Sequence, residues 1–139
     1  MKTRKSISLF TGAGGMDVGF SRAGFDVVWA NEINKDACDT YRLNHKGQID
    51  CGDIRDFIDK LDSHKDVDIV FGGPPCQGFS VAGKMDPNDE RSQLIFSFMD
   101  VVEKVKPKAF VLENVKALAV LEKWEPVRTA LYNRARSLG

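Results

Sequence analysis

The residues best equipped for chemistry lie in DIVFGGPPCQGFS, Asp68 to Ser80, where an apolar strand ends in two glycines and two prolines and then presents a cysteine. Gly72 and Gly73 allow the main chain to pass close to a ligand, and Pro74 and Pro75 restrict the turn that leads to Cys76. A cysteine attacks as its thiolate, from an ordinary pKa of about 8.5. Cysteines are more often buried structural residues, but a Gly/Pro loop opening into a polar segment is not core. The second chemical group ends another apolar run, AFVLENV, at Glu113 and Asn114. A carboxyl group there can donate to, or accept from, a ring nitrogen. Thiolate and carboxyl together equip a site for attack on a ring carbon with acid assistance.

A different chemistry is written nearer the start. In FTGAGGMD, the glycines Gly12, Gly14 and Gly15 permit a tight turn and close backbone approach to a ligand. The dinucleotide fingerprint G-x-G-x-x-G fails, because its third glycine position is Asp17, whose charge in the first turn of a helix would repel a pyrophosphate. No Walker pattern is present. The loop therefore suits a nucleoside without phosphates. Glu32 ends the next apolar run and can accept hydrogen bonds from ribose hydroxyls; it can equally serve as a neighbour to a helix cap. Asp53, in the segment GDI, can accept from an adenine amino group with Ile54 packed on the ring, or can act as a helix N-cap. Adenosine without phosphate points to S-adenosylmethionine.

These groups need a frame that brings them together. SISLF, FDVVWANE, QIDCGD, VDIVFGG and KAFVLEN read as strands, the third of them short. Helical spacing runs through MDVGFSRAG, NKDACDTYRLNH with Asn34 as N-cap, and QLIFSFMDVVEKV. A helical turn is expected around IRDFIDKL, a long polar loop over PPCQGFSVAGKMDPNDERS, and a helical remainder broken near Pro126. Strands alternating with helices predict an α/β fold with a mainly parallel sheet, whose ligands sit at the carboxyl ends of the strands. The glycine loop, Glu32, Asp53, Cys76 and Glu113 all fall at such ends.

Bulk properties set limits. The 139 residues suit one domain, and 20 basic residues against 20 acidic ones exclude a strongly basic nucleic-acid binder. From Lys104 onward there are 8 basic residues and 3 acidic ones; this end either favours a polyanion or is a solvated helix surface. Cys38, Cys51 and Cys76 match no zinc or CxxC spacing, and no metal is expected. No apolar run is long enough to span a membrane, so a cytoplasmic protein is expected.

Attack of Cys76 on cytosine C6, with Glu113 engaging N3, would make C5 an enamine carbon able to accept a methyl group. SLFTGAGGMDVGF, Glu32, GDI, GGPPCQGFS, RSQLIFSF and ENV, in that order, resemble successive motifs of the cytosine-5 DNA methyltransferase family. The resemblance covers nearly the whole chain. It implies a Rossmann-like, S-adenosylmethionine-dependent methyltransferase fold with Cys76 as nucleophile, Glu113 as acid and Asn114 holding the local backbone. It implies a cofactor pocket containing Phe10, Gly12, Gly14, Gly15, Glu32, Asp53, Ile54, Pro75 and Leu94.

In this family the segment after the nucleophile closes on DNA, here Gln77 to about Arg91, with Gln77, Ser80, Lys84 and Arg91 as candidate contacts to double-stranded DNA. Arg91 is equally a salt-bridge partner within that segment. The target cytosine would be flipped from the duplex. The family's later motifs, and its variable DNA-reading domain, have no counterpart in these residues. The expectation is an amino-terminal catalytic part, with five strands, completed by further chain or by a second polypeptide. A non-catalytic S-adenosylmethionine-binding fragment or accessory subunit is the alternative. Methylation of transfer RNA is another, against which Gly78, Phe79 and Ser80 look more like the DNA members. The setting would be DNA methylation in restriction–modification or in regulation.

Overall fold

Every expected strand and helix forms. The computed structural model describes residues 3–75 and 90–139, with backbone alone at 90–92. The order is β1 (Arg4–Leu9), α1 (Gly15–Arg22), β2 (Phe25–Glu32), α2 (Lys35–Asn44) and β3 (Gln48–Cys51). Two 3-10 segments follow, Ile54–Asp56 and Ile58–His64, and then β4 (Ile69–Gly72), α3 (Glu90–Val105) and β5 (Ala109–Leu112). The chain closes with α4 (Lys116–Val120), a 3-10 turn at Glu122–Trp124, and α5 (Glu125–Ser137). Among the described residues no helix is long and apolar enough to cross a membrane.

The five strands form one parallel sheet in the order β3-β2-β1-β4-β5. The period of two along the strands sends side chains to alternate faces. Ile7 and Leu9 of β1 and Val70 of β4 enter one core with Phe98, Met99, Val101, Val102 and Val105 of α3. Ile69 and Phe71 of β4 enter the opposite core with Cys38 and Tyr41 of α2, where Phe20 of α1 stacks on Phe71 at 3.8 Å between ring centroids. Burying each large apolar side chain contributes about 1.5–3 kcal/mol. In β2 the alternation breaks. The register with β1 shifts between Ser6 and Ile7, which pair with Val27 and Trp29. The extra residue, Val28, joins Trp29 on the α3 side, while Val27 and Ala30 stay on the α2 side.

Several boundaries differ from the sequence expectation, and two of them bear on the helices around the site. Helix α3 begins at Glu90, so Arg91 belongs to a helix and not to the loop before it. The final helical stretch breaks at Leu121–Trp124, because Pro126 sits in the first turn of α5, where its missing N–H is no loss.

The strands end at one level. In register, Leu9 lies opposite both Asn31 and Gly72, Glu32 opposite Cys51, and Gly72 opposite Leu112. The loops that follow therefore rise from one edge. At the other edge Asp68 accepts from the Lys5 N–H at 2.9 Å and from Lys108 Nζ at 2.5 Å, which ties the starts of β1, β4 and β5.

The β1–β4 contact requires a glycine. A Cβ on Gly72 would lie 2.2 Å from the Leu9 carbonyl oxygen. Since both strands are central to the sheet, neither can retreat. Gly72→Ala is expected to lower the unfolding free energy by about 2 kcal/mol or more, as overpacking of a filled interior does, measured by urea denaturation.

Candidate active site

At the edge where the strands end, β1 leads into a turn that begins with strain. Phe10 has φ +53°, a conformation uncommon outside glycine. The turn continues through Gly12 and Gly14 to the start of α1. Beside it, Glu32 closes β2. Its Oε1 accepts from the Ile33 and Asn34 N–H groups, both at 2.9 Å, and its Oε2 accepts from the Gly12 N–H at 2.7 Å. Three of about four acceptor positions on the carboxylate are thus taken by main chain. Glu32 is both a cap neighbour of α2 and a clamp on the glycine turn. The sequence reading foresaw the first role and missed the second.

Asp53 follows β3 and caps the 3-10 segment by accepting from the Arg55 N–H at 2.9 Å. Arg55 also reaches it through Nε at 2.9 Å and Nη2 at 2.6 Å. These Arg55 hydrogen bonds hold the Asp53 carboxyl below its usual range. The N-cap alternative for this residue is therefore realised, and one of about four acceptor positions, on Oδ2, remains for a ligand donor.

A crevice of about 420 Å³ opens between these loops. Of the residues singled out for the cofactor, Phe10, Glu32, Asp53, Ile54, Pro75 and Leu94 line it. Gly12, Gly14 and Gly15 do not, and Gly12 reaches it through Glu32. The crevice also takes in Gly73, expected to pass close to a ligand, Gly52 of the GDI segment, and Asn31 and Ile33, which sequence reasoning passed over. Ile33 is 67% exposed, an apolar side chain left in solvent beside a carboxylate. Asn31 is buried, and its Nδ2 donates to the carbonyls of Asp50 at 2.9 Å and Gly52 at 3.1 Å, which shapes the loop after β3. A polar side chain inside an apolar strand is the signal that marks such a residue. A larger cavity, about 630 Å³, opens at the opposite pole near Thr3, Arg22 and Lys46. None of the strand-end carboxylates reaches it, so the smaller crevice is the functional candidate.

The second group of expected site residues adjoins this crevice at Gly73 and Pro75. Glu113 follows β5, and its main-chain N–H donates to the Gly72 carbonyl at 2.9 Å. A Cβ on Gly73 would meet Glu113 Oε2 at 2.7 Å, so the absence of a side chain there lets the carboxyl lie against the β4 exit. Asn114 Nδ2 donates to the Pro74 carbonyl at 3.0 Å, and Asn114 Oδ1 accepts from the Val115 N–H at 2.9 Å. One side chain thus joins the loop after β5 to the Pro74–Pro75 segment that precedes Cys76. Cys76, Gln77, Ser80 and Lys84 lie outside the described residues, as does the side chain of Arg91.

Asp17 lies in the first turn of α1, as expected, but faces the interior. It is fully buried, and its carboxylate accepts from Ser8 Oγ, Thr11 Oγ1 and Tyr41 Oη at 2.7–2.9 Å. It is an internal anchor and not a charge facing the ligand. The donor set at the crevice still fits a nucleoside: carboxylates at two strand ends, apolar walls from Phe10, Ile33 and Ile54, and no Walker lysine.

In a parallel α/β sheet, the crevice beside the topological switch point is where such folds place their ligands. Residues 4–135 match the family described as C-5 cytosine-specific DNA methylase, and the chain belongs to that family. It is 40% identical over 125 residues to the Type II methyltransferase M.FnuDI of Fusobacterium nucleatum, across 89% of this chain and 36% of that protein. It is 46% identical over 123 residues to the Type II methyltransferase M.AquIA of Picosynechococcus, across 83% of this chain and 50% of that protein. A crystal structure of a DNA modification methyltransferase encoded within an E. coli prophage superposes with a TM-score of 0.80 at 33% identity, covering 96% of this chain and 38% of that one. The chain spans half the length of these proteins or less.

Of the two described cysteines, Cys38 is buried and donates to the Glu32 carbonyl at 3.3 Å. Burial first, then its neighbour Cys51, pushes the Cys38 thiol up to about 12. At pH 7 it is a thiol, and alkylation needs the thiolate. Iodoacetamide is therefore expected to leave Cys38 unmodified in the native protein and to modify it once urea unfolds the chain, read by peptide mass spectrometry.

Proposed function

We propose that this chain is the amino-terminal part of the catalytic domain of a DNA (cytosine-5-)-methyltransferase. Its reaction would carry a methyl group from S-adenosylmethionine to C5 of a cytosine flipped out of double-stranded DNA. The observation that carries the reading is the meeting of two half-sites at one sheet edge. The Glu32–Asp53 crevice ends at Gly73 and Pro75, and Asn114 and Glu113 hold the same segment from the other side.

S-adenosylmethionine, when bound, supplies an electrophilic methyl group on a sulfonium. In this chain Glu32 would accept a ribose hydroxyl at the position left on Oε2, and Asp53 would accept from the adenine amino group. Phe10 and Ile54 would pack against the base, with Leu94 and Pro75 closing the pocket. Gly12, Gly14 and Gly15 would give the turn its close approach. The Cys76 thiolate would attack C6 of cytosine, while Glu113 holds a proton at N3. The ring electrons then gather at C5, which takes the methyl group; loss of the C5 proton and expulsion of Cys76 restore the aromatic ring. Asn114 would keep Pro74, and so the approach to Cys76, in place. Gln77, Ser80, Lys84 and Arg91 would contact the DNA, in part through phosphate charge. Target recognition would come from the remaining part of the protein, as a continuation of this chain or as a second polypeptide.

Isothermal calorimetry should show S-adenosylmethionine binding to this chain, and Glu32→Ala should weaken it by roughly tenfold or more, the scale of a lost hydrogen bond to a charged group. Unchanged affinity would remove Glu32 from the pocket. With the remaining part of the protein supplied, labelled methyl should pass to cytosine C5 in duplex DNA. Cys76→Ser should abolish that transfer and leave cofactor affinity intact, and turnover by this variant would refute the nucleophile assignment. Parallel assays on transfer RNA should show no comparable transfer.

A further inference from the structure

The Thr11–Gly14 turn is gripped from below as well as from Glu32. Its central anchor is Asp17, in the first turn of α1 and without solvent exposure. Burying a carboxylate costs several kcal/mol unless it is hydrogen-bonded. Here Oδ2 accepts from Ser8 Oγ at 2.8 Å and Thr11 Oγ1 at 2.7 Å, and Oδ1 accepts from Tyr41 Oη at 2.9 Å. Tyr41 is itself fully buried in α2, and burial together with the Asp17 charge holds its phenol above the usual range, so it stays a donor. Its ring stacks on His45 at 4.2 Å between centroids. His45 Nε2 in turn donates to the Ala13 carbonyl at 3.2 Å.

The seat of His45 also explains a glycine. Gly14 has φ +90°, and a Cβ there would lie 2.1 Å from His45 Nε2. The imidazole fills the space beside a residue that has no side chain. Along the turn, Thr11 is held through its hydroxyl, Ala13 through its carbonyl and Gly14 through this packing, while the Gly14 N–H donates to the Thr11 carbonyl at 3.0 Å. Between these held points the Gly12 N–H donates to Glu32 Oε2.

We propose that Asp17, Tyr41 and His45 are positioning residues: together they set the Thr11–Gly14 turn so that Gly12 orients the Glu32 carboxylate for the cofactor. This rests on the S-adenosylmethionine reading. A network that merely joined α1 to α2 would place its contacts along the helix bodies. Here the contacts reach the turn itself: Asp17 holds Thr11, His45 reaches Ala13 from 32 residues away and packs against Gly14, and Tyr41 links the two through Asp17 and the His45 ring.

The test compares Tyr41→Phe, His45→Ala and His45→Gln with the unaltered chain. Cofactor affinity is read by calorimetry, and amide exchange by NMR. Tyr41→Phe removes one hydroxyl and keeps the ring. It should weaken S-adenosylmethionine binding roughly tenfold and speed exchange at Gly12 and Gly14 by about the same factor, with the β1 and β4 amides unchanged. His45→Gln, which keeps a donor for Ala13, should retain more affinity than His45→Ala. Equal affinities with unchanged Gly12 and Gly14 exchange would overturn the proposal. So would faster exchange throughout the sheet, which marks a purely structural role. If the unaltered chain binds no S-adenosylmethionine, the cofactor reading fails separately, and exchange at Gly12 and Gly14 alone decides whether this network holds the turn.

Discussion

Where β1 meets β4, the Leu9 carbonyl oxygen occupies the space that any side chain on Gly72 would need. This close approach, at the point where the strand order turns back on itself, governs much of the molecule. It seats the ends of the two central strands at one level, and the register carries that level outward to Glu32, Cys51 and Leu112. Loops leaving a common level converge, and the crevice lies among them. Gly73 extends the same logic by one residue: its bare backbone leaves room for the Glu113 carboxyl. The paired glycines are therefore steric in origin, and the prolines after them begin a segment that Asn114 holds by its Pro74 hydrogen bond.

The carboxylates at the crevice and beneath the glycine turn are committed to the protein's own groups. Glu32 collects three backbone N–H groups, Asp53 caps a 3-10 segment and pairs with Arg55, and Asp17 gathers three hydroxyls in the interior. Glu32 and Asp53, the two that line the crevice, therefore hold positions already set by such bonds. Preorganisation of this kind lowers the ordering cost of binding, since the acceptor does not have to be fixed when the ligand arrives.

The two edges of the sheet differ in character. At β3 the outward groups are polar, and Trp29 Nε1 donates to Asp50 at 2.8 Å. At β5, Phe110 and Val111 are 36% and 43% exposed, beside a groove of about 390 Å³ that reaches Leu131 and Tyr132 of α5. An apolar edge strand is the less protected of the two against further pairing.

Much of this was legible in the residues alone. Strand and helix periodicity depends on neighbours within a turn or a pleat, so the five strands, the Asn34 cap and the order of the chemical groups along the chain could be read locally. The parallel α/β class also follows from that alternation, and with it the rule that strand ends carry the site. Tertiary structure decided the rest, because it joins residues far apart in sequence. Only the strand order brings Gly12 to Glu32 and His45 to Gly14. Only the packing of α2 on the sheet turns Asp17 from an apparent surface charge into a buried anchor, through a tyrosine 24 residues away. The shift in register at Val28 is equally beyond local pattern, since a bulge is defined by what the neighbouring strand opposes to it. Local chemistry chose the residue types, and the long-range contacts chose what each of them touches.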